Sequence, residues 1–78
     1  MFNIGDKVKI NLDLTPHGFD IYPAMMEEIE TGLPFEIVNL DVCPTWGDYA
    51  VLKLTGSTRP DFLCFSYPVG MLEMTYLN

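Results

Sequence analysis

Cations are scarce in this sequence: four Lys and Arg stand against eleven Asp and Glu, giving a formal charge of −7 and a pI near 4.2. A protein that neutralises nucleic-acid phosphates needs the opposite balance, so direct nucleic-acid binding is not expected. Long apolar runs are missing too, and nothing approaches the roughly 20 residues of a membrane-spanning helix. The opening residues carry Asp6, Lys7 and Lys9 and so lack the apolar stretch of a secretory leader. Only two cysteines are present, Cys43 and Cys64, at a spacing that matches no metal or redox motif. They are too few for a secreted disulfide framework, and free, buried thiols in a cytoplasmic protein are the expectation. A single bridge between neighbouring strands is the alternative. Glycines are scattered singly, which excludes a phosphate-cradling loop.

What is present is apolar. Hydrophobic residues make up 49 % of 78 positions, including five Phe, four Tyr, one Trp and five Met. That content excludes a disordered acidic tail. The length allows one domain, spanning 1–78. A chain this short leaves much of its surface unburied, so part of the apolar excess is expected to face a partner.

Six glycines and six prolines punctuate the chain, which suggests short strands in a small β architecture. Lys7 to Leu12 alternates as a first strand, with Val8, Ile10 and Leu12 on one face. Residues 13–22 show neither periodicity and read as a long loop. Pro23 to Gly32 reads as a two-turn helix (about residues 24–31), with Pro at its start and Gly just past its end. Met25, Met26, Ile29 and Leu33 would share its buried face, and Glu27, Glu28 and Glu30 would point to water. Phe35 to Val42 is a second strand whose apolar parity switches, predicting a β-bulge near 37–38. Tyr49–Thr55, Phe62–Tyr67 and Met71–Leu77 complete five strands, with a helical turn at Pro68–Gly70.

Three segments carry a family resemblance. They are Ile4-Gly5-Asp6-Lys7-Val8-Lys9-Ile10, the helix-like Met25–Glu30 followed by a glycine, and Phe65-x-x-Pro68-x-x-Met71-Leu72-Glu73. Together they resemble the small SH3-like β-barrel proteins of bacteria and bacteriophages. The resemblance implies a mainly β fold, a five-stranded, partly open SH3-like small barrel with one short helix. It names no partner. Proline-rich peptide binding is not implied, because neither the ALYDY-type motif nor the paired tryptophan of the peptide-binding members is present.

The only histidine, His17, lies with Asp13 and Asp20 in the long loop. Three such ligands could hold a metal, but Asp and His beside Gly are also ordinary turn residues, and no metal or cofactor is expected. A nucleophile would come from Cys43, Cys64, Ser57 or Ser66, yet no elbow motif surrounds any of them, so no catalytic residue is assigned. The aromatics are more informative. Phe19, Tyr22, Trp46, Tyr49 and Tyr67 fall in or beside loops, and aromatics dominate protein-contact hot spots. Trp46, in a turn between Thr45 and Gly47, is the first expected contact, with Phe19, Tyr22 and Tyr49 beside it. Tyr49 and Tyr67 could equally plug the ends of a barrel.

The expected function is therefore a non-enzymatic protein-binding module that modulates another protein, with Glu27, Glu28 and Glu30 steering a basic patch on the partner. Two alternatives stand beside it: an inhibitor in which Glu27, Glu28 and Glu30, with Glu36 and Asp41, imitate a nucleic-acid backbone, and a structural homodimer formed across a strand edge.

Overall fold

The computed structural model describes residues 2–75. Five antiparallel strands form one sheet in the order β4-β3-β2-β1-β5, and that sheet is not closed into a barrel. The strands are β1 (Lys7–Ile10), β2 (Phe35–Cys43), β3 (Gly47–Leu54), β4 (Phe65–Pro68) and β5 (Leu72–Met74), with one short helix, α1 (Pro23–Ile29). The fold is mainly β, as the spacing of turn residues predicts. No helix among the described residues is long and apolar enough to cross a membrane.

The β2–β3 hairpin is the longest ladder, running from Phe35↔Leu54 to Cys43↔Gly47. Its register shifts between Ile37 and Asn39, so the predicted bulge is present, with Val38 as the extra residue. The bulge has a clear effect on side-chain direction. Phe35 and Ile37 enter the core before it, and Leu40 returns to the core side opposite Ala50 after it. Val42 gains nothing from the phase change and stays 67 % exposed.

The core consists of Val8, Met25, Phe35, Ile37, Ala50, Leu52, Tyr67, Met71 and Leu72. Pro at the first position starts α1, and the Tyr22 amide N–H donates to Met25 Sδ at 3.3 Å as Met25 turns inward. Packing through Met25 holds the helix, because seven residues form no stable helix in isolation.

Several boundaries differ from the sequence expectation. β1 stops at Ile10, and Leu12 sits in a 3-10 turn (Leu12–Leu14), exposed rather than in register with Val8. The turn forms because Asn11 caps it, its side-chain oxygen accepting the Asp13 amide. The helix ends at Ile29, two residues early, and Leu33 is 47 % exposed, past the helical face it was expected to share. β2 and β3 shift slightly, reaching Cys43 and starting at Gly47.

The fourth strand is the largest correction. Residues 61–63 form a 3-10 turn after Pro60, leaving Phe62 84 % exposed, and pairing begins only at Phe65. The predicted helical turn before the last strand is present as Val69–Met71. The last strand pairs with β1 over Leu72–Met74, and its predicted extension through 76–77 lies outside the described residues. Both cysteines are free and half-buried, more accessible than expected.

Candidate functional site

The loop 11–22 is pinned to the sheet at its start. The Asn11 amide donates to the Met71 carbonyl at 2.8 Å, and its side-chain amide reaches Glu73 at 3.2 Å. Further along, the Phe19 amide donates to the Pro16 carbonyl at 3.0 Å, closing a turn whose third residue is Gly18 at φ +87°. That left-handed backbone suits glycine and turns the chain so that Phe19 faces the sheet. At the far end of the β2–β3 hairpin, Gly47 at φ +73° closes a three-residue connection carrying Trp46.

The two loops meet there. Phe19 and Trp46 pack edge to face, ring centroids 5.6 Å apart and planes at 87°. Phe19 also leans on the buried Tyr67 at 6.4 Å, so the pair is anchored to the core. Trp46 is thereby half-buried and held in one orientation, rather than standing free on its turn.

The pair divides two apolar grooves. One, about 340 Å³, is lined by Phe19, Trp46, Tyr49, Val42, Pro44 and Pro68 among others. The other, about 380 Å³, shares Phe19 and Trp46 and adds Asp20, Tyr22, Met25 and Phe65. A third, about 560 Å³, continues from Val42 and Tyr49 to Phe2, Leu40 and Val69, with Asp41 and Asp48.

Four residues expected as contacts therefore come together here: Phe19, Tyr22, Trp46 and Tyr49. Tyr49 lies inside β3 rather than beside a loop, opposite Asp41. Tyr67, in β4, is fully buried and belongs to the core.

The helix glutamates separate. Glu27 and Glu30 are exposed as expected. Glu28 is not; its side chain is only 14 % exposed, and its carboxylate lies 3.8 Å from the Arg59 guanidinium. Arg59 in turn covers the Phe65 ring at 4.8 Å. None of the three glutamates lines the grooves around Trp46.

Cys43 lines the central groove, and the amide N–H groups of Trp46 and Thr45 draw its thiol pKa down. Burial pushes the Cys64 thiol up. Asp13, His17 and Asp20 do not gather into a ligand set; among the described residues no three His, Cys, Asp or Glu side chains do.

Asp41 and Asp48 line the third groove; sequence reasoning named Asp41 only as part of a nucleic-acid-imitating patch and missed Asp48. The signal was available only through the bulge: it is the shifted register that sets Asp41 across from Tyr49. The chain matches no protein-family model, no curated protein and no solved structure.

Proposed function

We propose that this chain is a non-enzymatic protein-binding module that holds a partner in the grooves on either side of Trp46. The Phe19–Trp46 pair carries this reading. Two large rings from separate loops are fixed in place while walling open apolar clefts, so little rotamer freedom is left to lose on binding. Tyr22 and Tyr49 extend the surface on each side.

Glu27 and Glu30 stay free in solvent and add to the acidic field that draws in a basic partner. Glu28, engaged with Arg59, has a structural role instead. Two accessible, unpaired thiols favour a reducing compartment and hence a cytoplasmic protein. The likeness to small SH3-like barrel proteins of bacteria and phages supports a host-protein modulator as the setting.

The test is copurification from the native host with tagged wild type, Trp46→Ala and Phe19→Ala. Specific interactors that disappear in both variants support the reading. Interactors retained by both variants contradict it.

A further inference from the structure

Charge is distributed unevenly around the grooves. Every charged side chain along their walls is an acid: Asp20 in one, Asp41 and Asp48 in another. No Lys, Arg or His lines any of the three. Three of the chain's four cations are committed elsewhere, Lys7 to Glu36, Lys53 to Asp61 and Arg59 to Glu28. Lys9, the fourth, borders a small crevice beside Ile29 and Leu33.

Asp20, Asp41 and Asp48 are exposed and take part in no ion pair among the described residues. Tyr49, directly across from Asp41, feels the resulting field: its phenol pKa is raised by desolvation first and by the Asp41 carboxylate next.

The consequence for a ligand is selective. A wholly apolar segment seated over the Val42 face would strip water from Asp48 and return nothing for it. An acidic segment would be repelled. A cation satisfies the Asp48 carboxylate and is also attracted by the faces of Trp46 and Tyr49. The groove beside Tyr67 adjoins both others, sharing Phe19 and Trp46 with one and Val42 and Tyr49 with the other. Adjoining grooves of this kind suit an extended chain better than a single side chain.

We propose that these adjoining grooves take an extended peptide segment in which a Lys or Arg adjoins an apolar or aromatic side chain, the apolar group seated by Trp46 and the cation held by Asp48, which shares the Val42 face of the hairpin. This rests on the protein-binding reading above and names the chemistry of the partner at that site.

The experiment is selection from a random dodecapeptide library, followed by titration of one selected synthetic peptide and its Lys/Arg→Gln analogue. Each is titrated against wild type, Trp46→Ala and Asp48→Asn. Selected peptides are expected to share a basic residue beside an apolar one and to lose binding to Trp46→Ala. Removing the peptide cation should weaken binding to wild type about fivefold, and far less to Asp48→Asn, because the paired charge is then already gone. Neutral or acidic peptides that still depend on Trp46 would overturn this inference and leave the groove reading standing. Peptides indifferent to Trp46→Ala, or no selected peptide at all, would overturn both.

Discussion

Gly18 lies against Trp46: a Cβ built on the glycine would sit 3.7 Å from the indole Cη2 atom. That is ordinary van der Waals distance, so space is not what demands a glycine. The demand is the backbone, at φ +87°, one residue before Phe19. Gly18→Ala is expected to cost about 1 kcal/mol in chemical denaturation, the usual penalty for an L residue in the left-handed region. It should also weaken partner binding, because relaxing the strain moves Phe19. Gly56→Ala is the control. Its φ of +84° imposes a similar strain with nothing within 4 Å, so stability should fall comparably while binding holds.

Tyr67 is fully buried, and its hydroxyl has no hydrogen-bond partner among the described residues. Removing an unsatisfied buried hydroxyl removes its desolvation cost, so Tyr67→Phe should stabilise the fold by about 1 kcal/mol in urea titration. The same burial drives the phenol far above its ordinary value, with the nearby Glu28 carboxylate adding to the shift. Above pH about 10 the unfolded chain releases this proton while the folded chain keeps it. Stability is therefore present below that pH and falls as pH rises beyond it. Tyr67→Phe should make the alkaline fall shallower between pH 9 and 11, leaving the shares of Tyr49 and Lys53, both also shifted up.

The cysteines should react at different rates. Amide donors from Trp46 and Thr45 favour the Cys43 thiolate, whereas burial disfavours that of Cys64. Thiol labelling at neutral pH, read by peptide mass spectrometry, should modify Cys43 first. Because Cys43 lines the central groove, a bound partner should protect it and leave the Cys64 rate unchanged.

Glu28 separates the structural acids from the steering ones. Glu28→Gln should cost less than about 1 kcal/mol, since a pair at 3.8 Å with a half-exposed arginine is a weak one. Partner affinity should stay within twofold of wild type. A large loss of affinity would return Glu28 to the binding surface.

Much of the fold was legible because periodicity reports which face of an element is buried. The parity switch after Ile37 marked the bulge, and Pro23 with Gly32 bracketed the helix to within a few residues. The fourth strand was misread because Phe62 to Tyr67 is a mainly apolar run that suits a buried strand, while the chain after Pro60 turns instead, a choice made by backbone geometry that leaves no trace in polarity. Trp46, Phe19, Tyr22 and Tyr49 could be singled out as aromatics near loops. That Phe19 and Trp46 would pack on one another depends on two loops closing over the sheet, which no local pattern encodes. Glu28 looked like its neighbours because its difference lies in Arg59, far along the chain.

The most direct test is the affinity of a captured partner, measured by titration calorimetry, for wild type and Trp46→Ala at matched folded fraction. The account predicts at least tenfold weaker binding to the variant, in keeping with an aromatic hot spot. An affinity within twofold of wild type would contradict it.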